Sequence, residues 1–110
     1  MLISQDNNIT LITQEKVSIV ELVQKLNGLY EQFKNDNIIV NLTSIDKVPL
    51  EKIIEFLQLS NYHRAARHSF VIVTNKLDLD EAPDELVIVP TLQEAYDIIE
   101  MEEMERDLGF

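Results

Sequence analysis

A chain of 110 residues is long enough to bury one core, and the absence of cysteine excludes disulfide bonds and thiolate chemistry. Its formal charge of −11 comes entirely from residues 78–110, because the acidic and basic side chains of residues 1–77 cancel. Such an acidic field disfavours nucleic acid and anionic membranes as partners, and no run of about 18 apolar residues could span a bilayer.

The first third of the chain predicts a β-hairpin followed by a helix. Residues 2–5 and 9–13 are strand-like segments on either side of a turn-forming Asp-Asn-Asn cluster. Ser18 and Glu21 then have the spacing of a capping box, which predicts the amino terminus of a helix. Apolar residues recur at helical spacing as far as Phe33, so we expect one face of this helix to pack on a sheet.

The centre of the chain predicts a strand, a polar loop, a long helix and a second strand. Residues 38–42 and 70–74 are nearly continuous β-branched runs, which are typical of strands covered on both faces. Between them we predict a loop over Thr43–Pro49 and a continuous helix over residues 50–67. The predicted core face of that helix consists of Leu50, Ile53, Ile54 and Leu57.

The last third predicts an irregular acidic loop over residues 75–85, a short strand over residues 86–89 and a final helix. Thr91 as N-cap and Glu94 three residues later mark the start of that helix. The order ββαβαββα predicts a single α/β domain over residues 1–110. We expect a mixed, mostly parallel sheet of about five strands, with three main helices and one antiparallel strand from the hairpin.

This order of elements resembles the STAS domain, the fold of anti-sigma-factor antagonists. Residues 38–57, the strand at 70–73 and the closing segment 87–95 carry the resemblance, which extends over nearly the whole chain. It implies a regulatory module that binds a partner protein. It also places the binding surface at the strand-end loop, the following helix and the loop after the next strand. The residues expected to bind the partner there are Thr43, Ser44, Asp46, Lys47, Pro49, Leu59, Tyr62, Asn75 and Lys76.

The resemblance also implies where a phosphorylation switch would lie. In phosphorylatable members of the STAS family, an Asp-Ser pair starts the helix after the central strand, and a kinase phosphorylates the serine. Pro49 and Leu50 occupy the matching positions here, and neither carries a hydroxyl group. The nearest hydroxyl groups belong to Thr43 and Ser44, but only Lys47 and no arginine cluster is near to receive a phosphate. We therefore expect constitutive binding without phosphorylation.

The last eleven residues also resemble a set of short bacterial chains that carry the name ribonuclease Z. That enzyme class holds zinc through an H-x-H-x-D-H motif and further histidines, whereas this chain has only His63 and His68. Zinc hydrolases need at least three such ligands, so we expect no catalytic residue, metal site or cofactor. Together with Arg64 and Arg67, the two histidines indicate a basic helix terminus. The alternative is a basic patch that binds an acidic partner, such as the acidic tail of another copy.

Two helices carry apolar residues away from their predicted core faces. In the last helix these are Met101, Met104 and Leu108, whereas the sheet-facing side continues into charged residues. A helix of this length, about 25 Å, exceeds a five-residue strand of about 17 Å, so we expect its last turns to extend past the sheet. Leu59, Tyr62 and Ala66 form the corresponding stripe of the middle helix. These stripes indicate either packing within the domain or an interface, homodimeric or with a partner.

Taken together, the residues and the resemblance predict a non-catalytic protein–protein interaction module. Its start lacks the basic and apolar segments of a signal peptide, and the absence of cysteine fits a reducing compartment, so we expect a cytoplasmic protein. Two alternatives remain open. One is a small homo-oligomer whose apolar stripes pack against each other, and the other is the RNA-processing enzyme that the name ribonuclease Z would imply.

Overall fold

The computed structural model describes residues 1–15, 18–77 and 79–109, and the strands in these residues form one five-stranded sheet in the order β1-β2-β3-β4-β5. The strands are β1 (Leu2–Asp6), β2 (Ile9–Thr13), β3 (Asn37–Asn41), β4 (Phe70–Val73) and β5 (Val87–Val89). β1 pairs antiparallel with β2, and the remaining pairs are parallel. The predicted hairpin and the mostly parallel mixed sheet are confirmed.

Two long helices begin at the predicted caps. In α1 (Ile19–Phe33), the hydroxyl of Ser18 accepts a hydrogen bond from the Glu21 amide at 3.2 Å. In α4 (Leu92–Asp107), the hydroxyl of Thr91 accepts one from the Glu94 amide, also at 3.2 Å. Each cap satisfies an amide that has no partner within the helix, which stabilises the protein by about 1 kcal/mol.

The predicted continuous helix over residues 50–67 is wrong in its middle. The segment consists of α2 (Leu50–Ile53), a 3₁₀ turn (Ile54–Phe56) and α3 (Leu57–Ala65). A 3₁₀ turn has three residues per turn, so residues three apart, such as 53, 56 and 59, face the same way. All three of those side chains are buried, whereas Ile54 is 44% exposed. The core role predicted for Ile54 is therefore incorrect.

Helices cover both faces of the sheet. On one face, α1 and the segment α2–α3 pack on side chains such as Ile38, Val40 and Phe70. On the other face, α4 covers Ile39 and Val71. β3 and β4 are thereby buried on both faces, as their β-branched runs predict, and β1 lies exposed at one edge.

The last turns of α4 are attached to the sheet by polar groups. Asn37, at the start of β3, donates from Nδ2 to the Glu103 carboxylate at 2.6 Å. Ser69, which precedes β4, donates from its hydroxyl to Glu102 at 2.6 Å. Arg106 donates to the side-chain oxygens of Ser69 and Asn37 at 3.2 and 3.3 Å. The sheet does not bury Met101, Met104 or Leu108 in these turns, as predicted, but the prediction missed that the turns are bound to residues at the amino-terminal ends of β3 and β4.

His63 is fully buried beneath α1, next to the turn that follows α1. Its Nε2 lies 2.7 Å from the carbonyl oxygen of Asp36, which can only accept, so Nε2 carries the proton. Its Nδ1 then accepts a hydrogen bond from the Tyr30 hydroxyl at 2.6 Å. Burial lowers the pKa of His63 to about 4, and the nearby His68 and Arg64 act in the same direction. His63 is therefore neutral at pH 7, and the predicted basic helix terminus loses this member.

The depressed pKa of His63 predicts a loss of stability in acid. In the unfolded chain this histidine binds a proton near pH 6.5, but in the folded protein only near pH 4. The free energy of unfolding should therefore fall as the pH is lowered from 7 to 4.5, by about 2 to 3 kcal/mol from this group. Urea unfolding of His63→Gln should show a correspondingly shallower pH dependence, since the carboxylates titrate equally in both proteins. His68→Gln is the control and should retain the steep dependence; equal slopes for wild type and His63→Gln would contradict this account.

The polar attachment of α4 predicts a large effect of Asn37. Its Oδ1 also accepts from the buried Ser69 amide at 2.8 Å, so Asn37→Ala leaves this amide without its partner and removes one bond each from Glu103 and Arg106. We expect the free energy of unfolding to fall by about 1 to 3 kcal/mol. Asn35→Ala, the same change at an exposed position two residues earlier, should cost far less in the same urea titration. Equal losses in the two variants would show that the network does not stabilise the fold.

Candidate binding surface

The loop between β3 and α2, residues 43–49, is held by two buried apolar side chains. Ile45 and Val48 point into the core, and the amide of Ile45 donates to the Leu42 carbonyl at 3.0 Å. The side chains between and beside these anchors are exposed. The loop therefore presents Thr43, Ser44, Asp46, Lys47 and Pro49, all predicted binding residues, to solvent.

Asn41 fixes the start of the loop. Its Oδ1 accepts hydrogen bonds from both the amide and the hydroxyl of Thr43, at 3.1 and 2.8 Å. This arrangement mimics a backbone turn. The Thr43 hydroxyl is thus engaged within the loop, and the conformation of the loop is set by neighbouring residues.

Pro49 ends the loop and starts α2. It has an extended backbone, with φ −64° and ψ 142°, and its carbonyl accepts from the amides of Lys52 and Ile53 at 3.0 and 3.1 Å. Because proline has no amide hydrogen, it leaves no unpaired donor at the helix start. Leu50, the first residue of α2, is half-buried, so neither residue offers a reactive group at this position.

A cavity of about 340 Å³ lies where the loop meets the start of α1. Its walls are mainly apolar, and two lysines line it; the lining residues are Ser18, Ile19, Val20, Lys47, Pro49 and Lys52. Sequence reasoning missed the contribution of α1 and Lys52, because this contact joins segments about 30 residues apart. One signal was available: Val20 is an apolar residue outside the predicted core stripe of its helix.

Asn75 and Lys76 follow β4 and are exposed. The Lys76 ammonium donates to the Asn75 side chain at 2.9 Å, and its amide donates to the hydroxyl of Thr74 at 3.2 Å. Because β3 and β4 are parallel, the loops that follow them both lie at the carboxyl-terminal end of the sheet. The structure thus places these two residues at the same end of the domain as residues 43–49.

The predicted stripe of Leu59 and Tyr62 does not extend this surface. Leu59 is only 6% exposed and belongs to the core, so its placement on the far side of the helix is wrong. Tyr62 is exposed and packs edge-to-face on Tyr30, with ring centroids 5.6 Å apart. It lies next to His63, which bonds to the turn before β3. Tyr62 is therefore near the amino-terminal end of the sheet, opposite the end that carries the loop.

Met101, Met104 and Leu108 form the exposed apolar stripe of α4. The alternative that they pack within the domain is wrong for the described part of the chain. Met101 also borders a groove of about 240 Å³ beside β5, together with Val89 and Ile98. The stripe is a surface separate from residues 43–49, and its role as a binding site stays a prediction.

Within residues 1–15, 18–77 and 79–109, no three His, Asp or Glu side chains are grouped so that they could hold a metal ion. Both ring nitrogens of His63 are already bonded to Tyr30 and Asp36. Over the same ranges, none of the helices has the length and apolar character needed to cross a membrane.

Comparisons with known proteins identify the fold. No protein-family model and no curated protein sequence matches the chain. A solved structure of an RsbS variant from Moorella thermoacetica is similar, with a TM-score of 0.65 at 12% sequence identity, over 91% of this chain and 94% of that chain. A chain of the stressosome, described as a signal integration and transduction hub, is similar with a TM-score of 0.60 at 12% identity, over 91% and 96%.

These likenesses show that the chain has a STAS-like fold, as the order of its elements predicts. Each likeness covers 91% of this chain and at least 94% of the other. None of the comparisons supports the resemblance to the chains named ribonuclease Z.

The exposure of the α4 stripe predicts that it can be made polar without loss of the fold. Glutamine is a good helix former, so the double variant Met101→Gln/Met104→Gln should keep its free energy of unfolding within about 1 kcal/mol of wild type. Ile99→Gln, on the buried face of the same helix, should cost about 2 kcal/mol or more. Urea unfolding followed by circular dichroism compares the three proteins. Unfolding of the double variant would show that the stripe is part of the core.

Proposed function

We propose that this chain is a non-catalytic protein–protein interaction module of the STAS type that lacks the phosphorylatable serine. The observation that carries the proposal is the junction of residues 43–49 with the start of α1. There, exposed polar side chains on an anchored loop adjoin a largely apolar cavity lined by two lysines. Such a surface provides shape, apolar area and charge for binding, and it contains no nucleophile paired with a base.

The geometry at Pro49 supports binding without a phosphorylation switch. The STAS resemblance places the phosphoacceptor at Pro49 and Leu50, and these residues have no hydroxyl group. The loop conformation is already fixed by Asn41, Ile45 and Val48. A surface that is ordered before binding loses little conformational entropy on association, so no modification is needed to order it.

The chemistry of the cavity describes the partner. Ile19, Val20 and Pro49 provide an apolar wall, and the ammonium groups of Lys47 and Lys52 carry the charge. A protein segment with an apolar side chain next to a carboxylate fits this combination. The similarity to a chain of the stressosome, a signal integration and transduction hub, supports a partner in signalling.

A homo-oligomer that closes through the α4 stripe is the second candidate. The exposure of Met101, Met104 and Leu108 favours it, since exposed apolar stripes commonly mark interfaces. However, Glu100 and Glu105 flank the stripe, and the surrounding segment carries the whole charge excess. Two copies would bring these like charges together, so we favour the loop surface.

A tRNA-precursor cleavage assay with a zinc determination tests the remaining alternative, ribonuclease Z. We expect neither cleavage nor bound zinc.

The two lysines of the cavity should be required for partner binding. Lys47→Glu/Lys52→Glu reverses the charge at the surface, whereas Lys25→Glu/Lys34→Glu makes the same change at exposed positions elsewhere on α1 and at its end. Each protein is immobilised and used to capture partners from a lysate of the source organism, and the captured protein is identified by mass spectrometry and purified. Calorimetry with the purified partner should then show affinity reduced about tenfold or more for the first variant and unchanged for the second. Equal affinities for the two double variants would overturn the proposed surface.

A further inference from the structure

The two edges of the sheet differ in how they are protected against pairing. β5 has only three residues and is followed directly by Pro90, a residue that cannot donate to a strand ladder. β1 has five residues, all exposed, and none of Leu2–Gln5 is a proline or carries a charged side chain. An edge strand presents a row of backbone N–H and C=O groups without partners, and proteins commonly block such edges with charge, proline or a short strand. β1 has none of these devices over Leu2–Gln5.

The side chains of β1 make this edge apolar as well as open. Ile3 is paired with the buried Ile12 of β2, so it lies on the face of the sheet that α1 covers. Leu2, paired with Thr13, lies on the opposite face and is more than half exposed. An added strand would therefore gain both a backbone ladder and apolar contacts on each face.

We propose that β1 pairs antiparallel with β1 of a second copy of this chain, which joins two five-stranded sheets into one sheet of ten strands. A two-fold axis at Ile3 places Ile3 of one copy opposite Ile3 of the other and Leu2 opposite Ser4. In this register Asp6 of each copy lies beyond the paired segment, so no charge is buried. The same strand serves both sides of the contact, which closes the assembly at a dimer.

The distribution of charge selects a second copy as the occupant. Residues 1–77 are neutral overall, and the charge of −11 lies in residues 78–110. These acidic residues include α4, which packs on β3, β4 and β5, and the segment that contains β5 itself. β1 is separated from these strands by β2, and the side chains of its first four residues, Leu2–Gln5, are uncharged. Two copies can therefore meet at β1 with less repulsion than at β5 or at the α4 stripe.

This dimer would leave the loop surface free. Residues 43–49 follow β3, which is separated from β1 by β2. Each dimer would thus present two copies of the loop surface, and a partner with two matching segments would bind with increased avidity. The inference rests on the strand edge and the charge distribution, and it does not depend on the function proposed for the loop.

Sedimentation velocity of the 110-residue chain without an amino-terminal tag tests the proposal. Over about 1 to 200 µM, wild type should approach twice the 12.7 kDa mass of the chain. Ile3→Lys places two like charges opposite each other and should raise the dimer dissociation constant about tenfold or more. Ile54→Lys is a matched control, because Ile54 and Ile3 are 44% and 41% exposed, and it should remain dimeric. A monomeric wild type, or equal dimerisation of both variants, would overturn the proposal.

Hydrogen exchange gives a second measurement that does not require a variant. In a monomer, alternate amides of β1 face solvent at the open edge and exchange rapidly. In the proposed dimer, successive amides of Leu2–Gln5 should all be protected at high protein concentration, and the protection should be lost on dilution. Rapid exchange of alternate amides at 200 µM would contradict pairing through β1, even if another surface produced a dimer.

Discussion

Burial of β3 and β4 on both faces is the constraint from which the rest of this structure follows. The side chains of Ile38–Val40 and Phe70–Val73 are all fully buried, and each contributes about 2 kcal/mol when it is removed from water. On one face of the sheet, α1 and the segment α2–α3 cover these side chains, and on the other face α4 covers them. Because the strands are parallel and their connections cross over the sheet, the loops that follow β3 and β4 lie together at its carboxyl-terminal end. The position of residues 43–49 is thus a consequence of how the two central strands are covered.

The two ends of the sheet are built differently. At the amino-terminal ends of β3 and β4, Asn37 and Ser69 bind the carboxylates and the arginine of α4, and His63 bonds to the turn before β3. These buried polar groups are satisfied, so they contribute to a unique arrangement of the helix on the sheet. At the carboxyl-terminal ends, the loop is anchored by Ile45 and Val48, and its polar side chains are exposed, with the Thr43 hydroxyl bonded to Asn41. The amino-terminal end thus consists of bonded polar groups, and the carboxyl-terminal end offers the candidate surface.

Structural features that neighbouring residues determine were predicted from the sequence, whereas features that depend on contacts between distant segments were not. Hydrophobic patterning identified the five strands, and the caps at Ser18 and Thr91 fixed the starts of α1 and α4, because these signals lie within a few residues. The 3₁₀ turn was missed, since assuming 3.6 residues per turn throughout placed Ile54 in the core and Leu59 outside it. Hydrogen bonds between distant segments leave no recurring pattern in the sequence, so they were not predicted.

The candidate site shows the same division between local and distant determinants. The sequence identified residues 43–49, because they follow a strongly β-branched strand. It could not identify Ser18–Val20 or Lys52 as parts of one cavity with Lys47, because the packing of α1 against the start of α2 brings them together. The charged continuation of α4 was read from its periodicity, but the attachment of its last turns to Asn37 and Ser69 depends on where the whole helix lies on the sheet.

Binding of a partner protein through the loop surface can be tested by mapping the contact on the isotope-labelled chain. Heteronuclear NMR spectra are recorded during titration with the captured and purified partner. We expect the backbone resonances of residues 43–52 and Ser18–Val20 to change most, with smaller changes at Asn75 and Lys76. Changes confined to α4 around Met101, Met104 and Leu108, with residues 43–52 unaffected, would contradict it.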